Sequence, residues 1–116
     1  MNYFITYEER DKSDPYIEFM VGEYEHFAYD QPTSLYLSAY FLADENDVLE
    51  TLEIYLGLDY YGCVKITPAN WANFLEALDS MEDSHEKEIL TDLCQDLELP
   101  VLEAFEEKNY FHIVGM

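Results

Sequence analysis

The sequence predicts an α+β domain spanning residues 1-116, a mostly antiparallel sheet with helices concentrated in the second half and packed on one face. Three observations carry this. Short alternating segments lead the chain, apolar stripes at helical spacing dominate residues 48–105, and an alternating segment returns at 110–114. Strands first, helices later and no strict βα alternation is the ordering of an α+β domain.

Residues 2–8 place Tyr3, Ile5 and Tyr7 on one side and Phe4 and Thr6 on the other, a strand. Asp14-Pro15 is a turn signal, and Tyr16 to Val21 reads as a second strand stopped by Gly22. From Glu23 to Pro32 rings and acids interleave without a period, as expected of a loop or ragged strand. Ser34 to Leu42 alternates, with Leu35, Leu37, Ala39 and Phe41 opposite Tyr36, Ser38 and Tyr40. It is read as a strand, although Leu35, Ala39 and Leu42 also suit a helix.

Asp44 to Asp47 supplies the acidic start of a helix carrying Val48, Leu49, Leu52, Tyr55 and Leu56, which Gly57 ends. A strand over Leu52, Ile54 and Leu56 competes with it. Tyr60 to Ile66 reads as a strand. Thr67-Pro68 has the chemistry of an N-cap and first helical residue, with Ile66 and Trp71 spaced for a hydrophobic staple. Trp71, Phe74, Leu75 and Leu78 continue that helix. Asp83 with Glu86 matches a capping box for a helix whose stripe is Ile89, Leu90, Leu93, Cys94 and Leu97. Pro100 is expected to restart the chain as a third short helix with Val101, Leu102 and Phe105 inward, before a last strand over Tyr110 to Val114.

Charge excludes more than it names. Five Lys plus Arg oppose 26 Asp plus Glu, a formal net charge of −21. Such a field repels nucleic acid and anionic membranes, and speeds encounter with cationic proteins. At 49% hydrophobic content the chain is expected to fold rather than remain disordered. The stretch Asp79 to Glu107 concentrates the acids, and Asp79–Asp83, Glu82–Glu86, Glu88–Asp92, Asp92–Asp96 and Glu103–Glu107 are like-charge i,i+4 pairs.

No catalytic pattern emerges. The four glycines do not cluster into a phosphate loop, and neither CxxC nor HxxxH occurs. Asp44-x-Asn46 lacks the glycine turn and terminal glutamate of a calcium loop. Glu82-x-x-His85 is half of a di-iron pattern without its second half. Nothing places His26 or His112 beside a thiol. Cys63 and Cys94 are expected to be buried and reduced. No enzyme activity, catalytic residue, metal or cofactor is expected. No basic leader or transmembrane-length apolar run is visible, so a cytoplasmic location is expected.

Eleven tyrosines point to a contact surface, because tyrosine couples rigid area to a hydrogen-bonding tip. The expected partner-binding residues are Glu23, Tyr24, Glu25, Tyr29, Asp30, Tyr36 and Tyr40, the pair Tyr60 and Tyr61, and Glu82, Asp83, Glu86, Asp92 and Asp96.

One short α+β domain, no catalytic motif, and an acid-and-tyrosine surface around Glu23–Asp30, Asp44–Asp47 and Asp79–Glu107 together resemble the small acidic immunity proteins of bacterial toxin–immunity systems, including contact-dependent inhibition and polymorphic toxins. The resemblance implies a cytoplasmic inhibitor of a cognate toxin with a basic surface, often a nuclease, and no direct nucleic-acid or membrane partner. Two other functions fit the same features: a DNA-mimic anti-defence protein whose carboxylates imitate a phosphate track, and a non-catalytic regulatory or adaptor domain.

Overall fold

The computed structural model describes residues 3–24 and 26–115. Its elements run β1 (Phe4–Thr6), β2 (Tyr16–Met20), β3 (Leu35–Ser38), α1 (Ala39–Asp44), α2 (Asn46–Leu56), β4 (Cys63–Ile66), α3 (Pro68–Asp79), α4 (His85–Glu107) and β5 (Phe111–Val114). All pairings are antiparallel and the sheet order is β1-β3-β2-β5-β4. The fold class is as the sequence predicts. The last strand does not close an edge, however. It inserts between β2 and β4.

Cross-strand partners share a face, so the register sorts the side chains. Phe4, Leu37 and Ile17 form one row, and Thr6, Leu35, Phe19, Ile113 and Val64 the next, followed by Phe111 with Ile66. This largely apolar face meets the helices: Trp71 and Phe105 stack on Phe111, and Leu52, Phe74, Leu90, Leu97 and Val101 complete the core. The opposite face carries Ile5, Tyr36, Glu18, Val114 and Cys63 in one row and Met20, His112 and Lys65 in another. Helices do not cover it. The long β2–β3 connection does.

The segment expected to be one strand over 34–42 divides at Ser38. Its hydroxyl accepts from the Phe41 amide at 3.4 Å, starting α1 and burying Ala39 and Leu42 three residues apart. Residues 46–56 are helical, and Gly57 ends them at φ 70, a left-handed conformation that glycine adopts without strain. The strand expected over 60–66 begins only at Cys63. Tyr60 and Tyr61 lie in a turn whose Tyr61 amide donates to Asp59 Oδ1 at 2.9 Å.

Thr67 caps α3 as expected, with Asn70 reciprocating from the third position. The cap of α4 is Ser84, not Asp83: Lys87 N donates to Ser84 Oγ at 3.1 Å. Nor does the chain restart at Pro100. α4 continues through it for 23 residues, because Leu93, Leu97, Val101 and Ala104 extend one buried stripe that burial holds together. Leu102, expected inward, therefore points outward at 54% exposure. With Asp79 ending α3, only Glu88–Asp92, Asp92–Asp96 and Glu103–Glu107 remain like-charge pairs within a helix, a cost of about 1 kcal/mol. Cys63 is exposed rather than buried, while burial pushes the Cys94 thiol up to about 12; both are free.

Pro100 cannot donate to the Asp96 carbonyl one turn earlier, and its ring crowds that carbonyl. Replacing it by alanine in Pro100→Ala should raise unfolding stability, by up to about 3 kcal/mol. A denaturant midpoint that falls instead would mean that the interrupted helix is itself required by the packing.

Candidate functional site

The uncovered face of the sheet is organised by a buried carboxylate. Glu18 is only 3% exposed in the central strand β2. Its Oε1 accepts from Asp30 N at 2.8 Å, and its Oε2 accepts from Gln31 N at 2.9 Å, Ser34 Oγ at 2.6 Å and Tyr36 Oη at 3.3 Å. A carboxylate taken out of water is tolerated only with its lone pairs filled, and here two backbone amides and two hydroxyls fill them. The β2–β3 connection is thereby drawn down onto the sheet. Gln31 ties it further by donating to His26 O and Ala28 O, and Thr33 Oγ1 donates to Glu23 O at 2.5 Å.

Over this clamp lies the chain's single arginine. Arg10 stacks on the Tyr7 and Tyr36 rings, 4.2 and 4.7 Å from their centroids, and its guanidinium meets Asp30 at 2.8 Å. Nearby burial and Glu18 push the Tyr36 hydroxyl well above its ordinary range. Two of the four lysines behave similarly. Lys65 sits 4.3 Å over Tyr110, and Lys108 sits 3.9 Å over Tyr24 while donating to Gly22 O. A third, Lys87, donates to Met81 O at 2.9 Å, with Asp83 3.7 Å away. Four of the five cations are thus engaged by this chain's own rings and carbonyls.

The acids are left uncompensated. Among the described residues, ion pairs reach only Asp30, Asp83 and, through His85, Glu45. Like charges also meet: the approach of the Glu23 side chain raises the Glu107 carboxyl, against Lys108, whose charge lowers it.

These placements separate the expected contact residues into two groups. On the loop-covered face Tyr29, Asp30 and Tyr61 line one cleft of about 460 Å³ together with Arg10, Lys12 and Tyr16. Tyr29 and Tyr61 are 63% and 80% exposed at its rim. Glu23 and Tyr24 lie beside Lys108 and Glu107. Glu25 lies outside the described residues. Tyr36 does not belong to this surface: at 1% exposure it forms the floor, donating to Gln31 O at 2.7 Å. Its strand alternation places it beneath the loop, which the sequence alone did not predict would fold back. Tyr60 is half-buried and donates to Ala39 O, so it packs more than it presents.

The second group lies at the helical side. Glu82, Asp83 and Tyr40 are exposed, and Glu86 and Asp92 half-buried. The starts of α2 and α4 adjoin, so Asp44, Glu45 and Asp47 join Glu86 around one depression. Thr51 on α2 donates to Glu86 on α4, and His85 Nε2 lies 3.4 Å from Glu45. Asp96 is half-buried with Oδ2 enclosed and unpartnered, so it is unsuited to direct contact. Tyrosine cleft and acidic helices therefore face away from each other across the sheet.

Glu18 and Arg10 are the residues that reading by charge and tyrosine content overlooks. A signal existed: Glu18 interrupts the apolar run Ile17 to Val21, where a carboxylate must find buried donors. His112 is a further member of the face. Its ring lies edge-to-face against Phe27 and Tyr110, with centroids at 4.9 and 5.3 Å, and its buried Nδ1 has no hydrogen-bond partner. Burial, then Lys65 and Lys108, hold its pKa below the ordinary histidine value.

No helix among the described residues is long and apolar enough to cross a membrane. No protein-family model, curated protein or solved structure matches this chain.

Two outcomes follow. Glu18→Gln keeps the shape but replaces one carboxylate oxygen by NH2, setting its hydrogens against either the Asp30 or the Gln31 amide, and should cost about 1–3 kcal/mol. Hydrogen exchange at Asp30 and Gln31 should accelerate before global unfolding does. Unchanged protection there would remove Glu18 from its role. Because the folded-state pKa of His112 is depressed, its contribution is complete above the unfolded value near 6.5 and lost as pH falls below it. Wild-type stability should therefore fall relative to His112→Gln between neutral pH and pH ~5; parallel curves would show that His112 is not titrating against this packing.

Proposed function

We propose that this chain is a non-catalytic inhibitor, an immunity protein that neutralises a cognate toxin with a basic surface, most naturally a nuclease, in the cytoplasm of the cell that makes both. The observation carrying this reading is the disposition of charge. Four of the five cations are held by the chain's own tyrosine rings and carbonyls, while among the described residues most of the acids have no ion-pair partner.

The two separated groups suit two tasks. Acids on the helical side add to the field that draws a cationic partner in, a contribution that salt screens beyond about 8–10 Å and that is therefore greatest at low ionic strength. Tyr29 and Tyr61 on the loop-covered face supply the desolvated anchors, with the exposed Asp30 carboxylate beside them for a partner lysine or arginine. The Glu18 clamp fixes this loop before binding, which reduces the entropy lost on association. In a nuclease the same basic groups would hold phosphates, so occupying them blocks the substrate.

One observation favours the DNA-mimic alternative. α4 is a single continuous helix of 23 residues, hence ~34 Å long, with acids from Glu86 to Glu107. Against it, the molecule measures 40 × 33 × 24 Å and lacks the elongation of a duplex imitation.

Co-expression with the product of the neighbouring reading frame, and purification of the pair, tests the proposal. Rescue of growth and a stable complex are expected. Its association rate should fall steeply with added salt and in Glu82→Lys, Asp83→Lys, Glu88→Lys, whereas Tyr29→Ala and Tyr61→Ala should chiefly speed dissociation, each costing about 2 kcal/mol of affinity. Growth arrest without rescue, or association indifferent to salt, would sink the reading.

A further inference from the structure

The two edges of the sheet differ. At the β1 edge, Glu9 folds back and closes Thr6: its Oε1 accepts from Thr6 N at 2.9 Å, and its own amide donates to Thr6 O at 3.2 Å. β4, at the other edge, pairs with β5 alone. Gly115 N donates to Gly62 O at 2.6 Å, and Gly62 with Gly115 continues the β4–β5 register by one step. Antiparallel ladders alternate inward- and outward-directed residues. Gly62, Val64 and Ile66 therefore direct their backbone groups toward β5, and Cys63 and Lys65 direct theirs outward. Among the described residues no side chain or backbone group bonds to the N–H or C=O of Cys63 or Lys65.

Native sheets protect such an edge with a charged side chain, and Lys65 would be the residue for it. Its ammonium is instead folded inward over Tyr110. Cys63 and Lys65 are both exposed, and Tyr61, the most exposed large hydrophobic residue, stands immediately before the strand.

The geometry points to β4 as a docking edge: an extended, lysine- or arginine-bearing segment of the partner adds as a sixth strand, exchanging backbone hydrogen bonds with Cys63 and Lys65 and laying a side chain against Tyr61. The occupant is a cationic partner and not a second copy. Two copies would bring together two charges of −21, whereas a basic strand meets the opposite field. Backbone pairing supplies affinity and the alternating side chains supply selectivity. The inference rests on the proposal that the partner is basic, and it adds where that partner pairs.

The test uses the intact chain and a short synthetic peptide alternating lysine with valine. Peptide should slow hydrogen exchange at the Cys63 and Lys65 amides and leave those of β1 unchanged. Lys65→Pro removes one outward N–H without touching the β5 ladder, and should weaken peptide binding about tenfold with circular dichroism unaltered. A peptide of the same charge interrupted by prolines should bind far less. Equal binding by the interrupted peptide, or protection away from Cys63 and Lys65, overturns the edge. So does concentration-dependent protection in the free protein, which would make a second copy the occupant. Should the toxin complex form and respond to salt but ignore Lys65→Pro, the edge alone fails and the inhibitor reading stands. If Lys65→Pro does not fold, the exchange pattern of the wild-type chain decides.

Discussion

One carboxylate makes the second face of this sheet possible. β2 is a central strand covered on both sides, so its outward residues need something above them, and the chain provides a loop rather than a helix layer. A loop brings unsatisfied amides that cannot be buried free of charge. Glu18 accepts from two of them and from Ser34 and Tyr36, which converts an irregular ring-rich segment into a fixed lid. Arg10 then spans Tyr7, Tyr36 and Asp30 and locks the lid's near edge.

The same chemistry shapes the exterior. A chain of net charge −21 would ordinarily hold its few cations among its acids, where they would screen repulsion. Here Lys65 and Lys108 lie on tyrosine faces, and Arg10 lies on two of them while also meeting Asp30. Cation–π contacts at such sites are worth only about 0.5–1 kcal/mol each, so they do not explain the fold's stability. Their effect is on order: they hold the loop-covered face, while the excess of acids sets the field of the molecule. That combination suits the steering and docking proposed for this chain.

The sheet also divides labour. Acidic helices and tyrosine loop both carry residue types of interfaces, the loop suited to specific contacts and the helices to steering. In space the cleft and the helices lie on opposite faces of the sheet, and they adjoin where Glu23 and Tyr24 lie beside Glu107 and Lys108. The open edge of β4 adjoins Tyr61 of the tyrosine cleft.

Local chemistry made several features legible in the sequence. Thr67 and Pro68 start α3, Gly57 ends α2, and Val48, Leu52 and Leu56 with Ile89, Leu90, Leu93 and Leu97 are buried as their spacing requires, whereas Tyr55, expected on the first stripe, is exposed. These depend on neighbours within a turn or two, and on burial of one face, so no distant residue can overrule them. Pro100 is the instructive exception. Its local penalty predicts a break, yet the Leu93, Leu97, Val101 and Ala104 stripe holds α4 together because a continuous apolar face is worth more against the core than one missing hydrogen bond. The strand-to-helix change at Ser38 was undecidable locally, since both periods fit the same residues. Sequence alone determined the class of fold, the charge and the abundance of tyrosine. Which acids are buried, which tyrosines form a floor or a rim, and which strand edge stays open were decided by the tertiary structure, because each depends on what residues distant in the chain place above or beside them.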